Sequence, residues 1–176
     1  SFQIVQGEKL AILGPIGSVK STFINLILRL SPITEGQILI NGRAHTAYTL
    51  DSLRRTIQLV PQEPFLFGRS VFDNVMMGQL VLENTQDEDS EKLDRRLWSE
   101  LAKFQIAEEV QNLPEKEKSL LGEKGVNLSG GQKQRLTIAR AYASDPHVMI
   151  LDDVLSAIDI ETEKQISEEL LGSDKR

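Results

Sequence analysis

Residues 8–22 of the chain read Glu-Lys-Leu-Ala-Ile-Leu-Gly-Pro-Ile-Gly-Ser-Val-Lys-Ser-Thr. The apolar run 8–13 predicts a short buried strand, and apolar residues at helical spacing from Lys20 to Leu30 predict a helix after it. The glycine-rich turn between them can arrange backbone N–H groups as a concave site for an anion. A lysine at the start of a helix opposes the helix dipole, so Lys20 indicates a bound phosphate there.

The rest of the chain alternates predicted strands and helices, which indicates an α/β fold with a parallel sheet. Strands are predicted at 37–40, ending in a hairpin turn, at 56–60 and at 147–151, and helices around 93–104 and over 132–144 and 161–171. The segment 79–119 holds 11 acidic and 6 basic residues, and its apolar spacing predicts a small helical lobe.

Composition excludes several classes of protein. The chain of 176 residues is 40% hydrophobic, enough for one core, and its net charge of −6 argues against a nucleic-acid-binding face. It has no cysteine, which excludes disulfides and thiolate metal sites. No apolar run approaches the ~18 residues that a membrane span needs. The sequence opens at Ser1 as if within a strand, so we expect a fragment of a longer domain.

Two carboxylates, Asp152 and Asp153, follow the predicted buried strand 148–151. Carboxylates at an apolar strand end are costly unless a cation or water compensates them, and Mg²⁺ would do so. The alternative is a pair of acids that merely end the strand in solvent.

A second glycine turn lies upstream, at 128–132, and reads Leu-Ser-Gly-Gly-Gln. Ser129 with Gln132 fits a helix-capping box, which is the purely structural explanation. Capping does not require the two glycines, however. They let backbone N–H groups approach a ligand at the start of a helix.

In this order and spacing the three motifs resemble the ATP-binding cassette (ABC) family, most of all the nucleotide-binding domains of exporters. The resemblance covers nearly all of the chain. It implies an α/β fold of the P-loop NTPase type, a mainly parallel sheet flanked by helices with a small α-helical lobe. Residues 1–176 would form a single, incomplete domain, with 1–78 and 120–176 as its core. Its lobe would be 79–119 plus the signature helix, the helix that follows the turn 128–132, which resembles the family's signature motif.

The resemblance also implies ATP and Mg²⁺ as cofactors and assigns roles to residues. ATP phosphates would be bound by Gly14, Pro15, Ile16, Gly17, Ser18, Val19, Lys20, Ser21 and Thr22. Mg²⁺ would be held by Ser21, Gln62 and Asp152, and the catalytic residues would be Asp153 and Gln62. Ser129, Gly130, Gly131 and Gln132 would contact the ATP held by an opposite subunit.

Two positions depart from the family pattern. Val19 stands where the P-loop has glycine, and a β-branched residue suits special backbone angles and close phosphate approach poorly. Asp153 stands where hydrolytic cassettes have glutamate, so its carboxylate reaches about 1.5 Å less far. Because a general base must lie within about 3 Å of its proton, we expect slow or negligible hydrolysis at this site.

The implied partners are a second nucleotide-binding domain, identical or different, and the coupling helices of a transmembrane domain, with no nucleic acid. The stretches 55–67 and 121–125 resemble exporters specifically, and 121–125 is similar to the exporter loop that touches the coupling helices, at the cytoplasmic face of a membrane. The adenine-stacking aromatic and the switch histidine of the family are expected outside the sequence. Two alternatives stay open, a soluble non-transport ABC protein and a regulatory module that binds ATP without hydrolysis. The short acidic insertion argues against the former.

Overall fold

The computed structural model describes residues 2–15, 17–80, 90–122 and 128–172. Its helices are α1 (Lys20–Ile27), α2 (Leu50–Thr56), α3 (Val71–Leu80), α4 (Ser90–Lys103), α5 (Ala107–Gln111), α6 (Gly130–Ala143) and α7 (Ile160–Gly172). Its strands are β1 (Leu39–Ile40), β2 (Arg43–Ala44), β3 (Ile57–Val60) and β4 (Val148–Leu151). Single 3₁₀ turns occupy His45–Ala47 and Lys116–Lys118.

Two small sheets organise these elements. β3 and β4 pair in parallel, from Ile57 opposite Val148 to Val60 opposite Leu151. β1 and β2 form an antiparallel hairpin whose two turn residues, Asn41 and Gly42, both have positive φ, as a tight two-residue turn requires. The parallel pair lies among helices, which confirms the predicted α/β class.

The prediction of a buried strand over 8–13 is wrong. The structure shows no strand there, and Leu13 is 92% exposed. The segment is held by a local turn instead, in which Glu8 N–H donates to the Val5 carbonyl and the Glu8 carboxylate accepts from Val5 N–H. An apolar run becomes a strand only when another strand pairs with it. Among the described residues, β4 is paired only with β3, and no strand pairs with 8–13.

The main hydrophobic core lies between α3, α4, α6 and the strand end at Val60. The predicted helical spacing in the acidic segment is confirmed, because Leu93, Leu97, Leu101 and Phe104 are all buried in this core. A smaller cluster packs Ile24, Ile27 and Leu28 at α1 against residues of α2, β3 and β4. The division into P-loop core and helical lobe stays a prediction.

Over the described ranges, no helix is both long enough and apolar enough to cross a membrane.

Candidate functional site

The turn at 14–20 is organised around the Lys20 ammonium. Lys20 Nζ donates to the carbonyl oxygens of Gly14 at 2.7 Å and Pro15 at 3.1 Å, and to Ser18 Oγ at 3.3 Å. All three partners are neutral, and no ion pair involves Lys20 among the described residues. A Cβ at Gly14 would lie 2.5 Å from Ser18 Oγ, so any other residue there would force the Ser18 side chain to move. Ile16 lies outside the described residues.

The helix that follows this turn begins without a cap. Val19 occupies the capping position, provides no side-chain hydrogen bond, and α1 has no acidic residue in its first turn. The first intrahelical bond is Phe23 N–H to the Val19 carbonyl, so the N–H groups of residues 20–22 have no acceptor within the helix. A turn of neutral acceptors, an ammonium with no ion pair among the described residues and N–H groups with no acceptor inside the helix together form an anion-binding arrangement.

Val19 has the left-handed conformation, with φ 59° and ψ 22°. A β-branched residue is strained there, by about 1–2 kcal/mol, whereas glycine is not. Its side chain is exposed, so packing does not offset the strain. The backbone therefore retains the shape of a glycine position although the residue is valine.

The carboxylate pair follows β4, as predicted, but β4 is not the buried strand that the sequence indicated. Val148 is 44% and Leu151 38% exposed, because β4 is paired on one edge only within the described residues. Asp152 N–H donates to the Val60 carbonyl at 3.0 Å, which extends the strand pairing by one residue. Asp153 is exposed and left-handed, with φ 50°.

Gln62 and Asp153, 91 positions apart, are brought together. Gln62 Nε2 donates to Asp153 Oδ2 at 3.0 Å. β3 ends at Val60 and β4 at Leu151, opposite each other in parallel register, so the residues just beyond them emerge side by side. Because the amide nitrogen faces Asp153, the amide oxygen of Gln62 remains available to a cation.

The second glycine turn is a complete capping box. Ser129 Oγ accepts from Gln132 N–H at 3.2 Å, and Gln132 Oε1 accepts from Ser129 N–H at 2.9 Å. The structural explanation of this motif is thus correct as far as Ser129 and Gln132 are concerned. Gly130 has nothing near the position of a Cβ, whereas a Cβ on Gly131 would lie 3.0 Å from the Ala157 carbonyl oxygen.

The two glycine turns are separate in the structure. No hydrogen bond or ion pair between described residues joins the turn at 14–22 to the turn at 128–132. The signature turn instead contacts the segment that follows Asp153, through Gly131 and Ala157. Each turn is open to its own ligand.

The oxygen atoms of Ser21, Gln62 and Asp152 are the hard ligands that Mg²⁺ takes, usually together with water and phosphate oxygens. The predicted set contains a single carboxylate. No three His, Cys, Asp or Glu side chains cluster among the described residues. The donor chemistry fits Mg²⁺ bound jointly by protein and nucleotide.

Arg140 makes a buried contact that the sequence did not predict. From α6, its guanidinium donates to the carbonyl oxygens of Asn74 and Phe65, each at 2.9 Å, and to Asn74 Oδ1 at 3.0 Å. It also lies over the Phe67 ring, 5.4 Å from the centroid. Burial lowers the pKa of Arg140 to about 10, so the group remains charged at neutral pH.

Asn74 is fully buried and completes this contact. Its amide nitrogen donates to the carbonyls of Phe67 and Ser70, and its oxygen accepts from Phe67 N–H. No motif in the sequence marked either residue.

Asp159 caps α7, since Asp159 Oδ1 accepts from Thr162 N–H at 3.0 Å. That backbone hydrogen bond lowers the pKa of Asp159. The Asp159 carboxylate therefore has a structural role as a helix cap, a role that Asp152 and Asp153 do not have.

Comparison with known proteins shows the family to which the chain belongs. The family model described as "ABC transporter" matches residues 1–156. An uncharacterized ABC transporter ATP-binding protein of Bacillus subtilis, YwjA, is 39% identical over 170 residues, 97% of this chain and 28% of that protein. The mitochondrial iron-sulfur clusters transporter ATM1 of Candida glabrata is 37% identical over 166 residues, 94% of this chain and 22% of that protein.

A solved structure of a bacterial Atm1-family ABC exporter with ATP bound superposes with a TM-score of 0.85 at 32% identity. It covers 98% of this chain, which corresponds to 28% of the exporter chain. The chain thus spans less than a third of the length of these relatives. On the family match and on the fold, the chain belongs to the ABC transporter family and is a nucleotide-binding domain of that family.

Proposed function

We propose that this domain binds Mg-ATP and drives export across a membrane by ATP-dependent dimerisation, with weak hydrolysis at its own site. The partner is a second nucleotide-binding domain, and the coupling helices of a transmembrane domain dock on it at the cytoplasmic face. Residues 14–22 hold the phosphates, and Ser21, Gln62 and Asp152 hold Mg²⁺. The ion supplies charge neutralisation of the phosphate oxygens.

The main support for nucleotide binding is the set of hydrogen-bond partners in the turn at 14–20. The Lys20 ammonium has only neutral partners, and α1 begins with neither a capping side chain nor an acidic residue. The start of a helix normally favours negative charge, and no acidic residue in the first turn of α1 supplies it. A phosphate would supply that charge and accept from the N–H groups that have no acceptor within the helix.

Weak hydrolysis is supported by the setting of Asp153. Its side chain is shorter than glutamate, its backbone is left-handed, and one carboxylate oxygen already accepts from Gln62. Such a carboxylate would reach less far toward an attacking water, and one of its oxygens is already engaged. Gln62 would then orient the carboxylate and Asp153 would act as a poor base.

Engagement of the nucleotide of the opposite subunit is supported by the signature turn. Its capping box fixes Ser129 and Gln132 before any ligand binds, and Gly130 leaves the surface of the turn open. A rigid, exposed helix start suits recognition of a phosphate presented by another chain. The identity of that chain, a copy or a different subunit, sets whether a catalytic glutamate faces this signature.

The test is Asp153→Glu in the full-length protein with its partner. We expect kcat for Mg-ATP hydrolysis to rise by about tenfold to a hundredfold, since a well-placed general base contributes about 10²–10⁴-fold. The matched control is Asp94→Glu, the same change at an exposed position on α4, which should leave kcat unaltered. Equal turnover by the unsubstituted and the Asp153→Glu proteins would contradict weak hydrolysis.

One observation favours a second function, a regulatory module that binds ATP without turning it over. Val19 in the phosphate turn is strained, and Asp153 has one carboxylate oxygen engaged by Gln62. Mg-ATP binding with no turnover, in the Asp153→Glu variant as well, would favour this module over the exporter motor.

A further inference from the structure

We propose that Gln134 is a positioning residue that links the signature helix to Asp153 through Gln62. This inference rests on the proposed function, because it explains how the helix that engages one nucleotide acts on the carboxylate beside the other. Gln134 lies two residues beyond the capping box in α6 and is 1% exposed.

The first step of the link is the hydrogen bond from Gln134 Nε2 to the Pro61 carbonyl oxygen, at 3.3 Å. The acceptor identifies the orientation of the amide, since only the nitrogen end can donate to a carbonyl. The peptide group between Pro61 and Gln62 is planar, so holding the Pro61 oxygen also holds the backbone nitrogen and Cα of Gln62.

The second step is the hydrogen bond from Gln62 Nε2 to Asp153 Oδ2, at 3.0 Å. Gln62 itself is exposed, and a long exposed side chain is free to choose other rotamers. Its backbone must be fixed if the amide is to remain on Asp153. Gln134 supplies a fixed point from the buried side of the segment.

A second contact holds the same helix against the other side of Asp153. Gly131 leaves room for the Ala157 carbonyl, which would lie 3.0 Å from a Cβ at that position. In the same segment, Ser156 Oγ donates to the Asp153 carbonyl oxygen at 3.1 Å. The start of α6 therefore reaches the Asp153 side chain through Gln62 and the Asp153 backbone through 156–157.

The two ends of the Gln134 amide differ in their surroundings. Gln134 Oε1 is buried, and no described residue donates a hydrogen bond to it. An unsatisfied buried acceptor is unfavourable, and an apolar side chain of the same shape would avoid that penalty. The favourable contribution of this side chain therefore comes from its amide nitrogen, which donates to the Pro61 carbonyl.

The experiment uses the full-length protein in its membrane assembly and replaces Gln134 with Met, a side chain of similar length without a donor. ATP binding is titrated with Mg²⁺, and kcat and KM for ATP are measured beside the melting temperature. We expect Gln134→Met to raise the Mg²⁺ concentration for half-maximal binding, and to lower kcat, by about fivefold each, the loss of one net hydrogen bond. The melting temperature should stay level or rise.

Thr137→Val is the matched control, because Thr137 is also buried in α6 but its hydroxyl donates only within the helix, to the Lys133 carbonyl. It should change none of these quantities. Combining Gln134→Met with Gln62→Ala should add nothing to Gln62→Ala alone, since both act on one contact.

Two results would overturn the link. One is a Gln134→Met protein that behaves like Thr137→Val, and the other is a double variant whose losses multiply. Should Gln134→Met fail to fold, Gln134→Leu provides the same comparison. Failure of the proposed function looks different, because the unsubstituted protein would then show no Mg²⁺-dependent ATP binding.

Discussion

The two helices that begin at glycine turns, α1 and α6, are built in opposite ways. Eight of the fourteen residues of α6 are buried and its first turn carries a complete capping box. None of the eight residues of α1 is buried, its first turn is uncapped, and its capping position is a strained valine. The backbone N–H groups at the start of α6 are capped by its own side chains, whereas those at the start of α1 are not.

This difference separates a structural anchor from a binding site within one chain. The N–H groups at the start of α6 are partly occupied by Ser129, so its rigidity does not depend on a ligand. At the start of α1, by contrast, the Lys20 ammonium contacts neutral acceptors and the first N–H groups have no capping side chain, so an anion can bind both. Substitutions in α6 should therefore change stability first, and substitutions in α1 should change nucleotide binding first.

The largest expected effect compares two isoleucines. Ile138→Ala in α6 should lower the free energy of unfolding by about 3 kcal/mol, because it opens a cavity in the main core. Ile24→Ala in α1 should cost about half as much, since Ile24 is only partly buried in the smaller cluster. Thermal or urea unfolding measures both. Equal losses would mean that α1 is as much a part of the core as α6.

Next in size is the loss of the ammonium. Lys20→Met should weaken Mg-ATP binding by about tenfold to a hundredfold, the value of one charge-assisted hydrogen bond, measured by titration with a fluorescent ATP analogue. The melting temperature should hardly change, because the carbonyls that Lys20 releases can take up water.

Ser129→Ala should give the reverse pattern and serves as the control for Lys20→Met. Loss of the cap should lower the free energy of unfolding by about 1 kcal/mol, with own-site ATP affinity unaltered. A Lys20→Met protein that melts earlier but binds ATP normally would remove the distinction between the two turns.

The smallest expected effect concerns Val19. Val19→Gly should raise the free energy of unfolding by up to about 1 kcal/mol, because relief of left-handed strain exceeds the entropy that glycine adds to the unfolded chain. Differential scanning calorimetry would detect the corresponding rise of about 2–4 °C. Val19→Ala isolates the cause. If alanine stabilises as much as glycine, exposed apolar surface and not backbone strain is what matters at this position.

The sequence predicted what depends on local spacing. The hairpin at Asn41-Gly42, the pair of strands at 57–60 and 148–151 and the buried face of α4 all follow from turn chemistry and periodicity. The contact between Gln62 and Asp153 could also have been predicted from the sequence, because both residues belong to motifs of known order.

Contacts that depend on the mutual orientation of elements were not predictable. The apolar run 8–13 could not reveal whether a strand pairs with it, and the structure shows that none does among the described residues. Arg140 with Asn74, and Gln134 with Pro61, each join positions more than sixty residues apart with no shared motif. Only the packing of α3 and β3 against α6 brings these pairs within bonding distance.

The neutral partners of Arg140 determine how the joint between α3 and α6 responds to solution conditions. Its guanidinium binds backbone carbonyls and an amide oxygen, none of which titrates or competes for counterions. An exposed ion pair such as Arg55 with Asp51 weakens in high salt and when the carboxylate is protonated. The Arg140 contact has neither weakness. The packing of α3 against α6 should therefore persist at high salt and in mild acid, conditions that weaken the surface ion pairs.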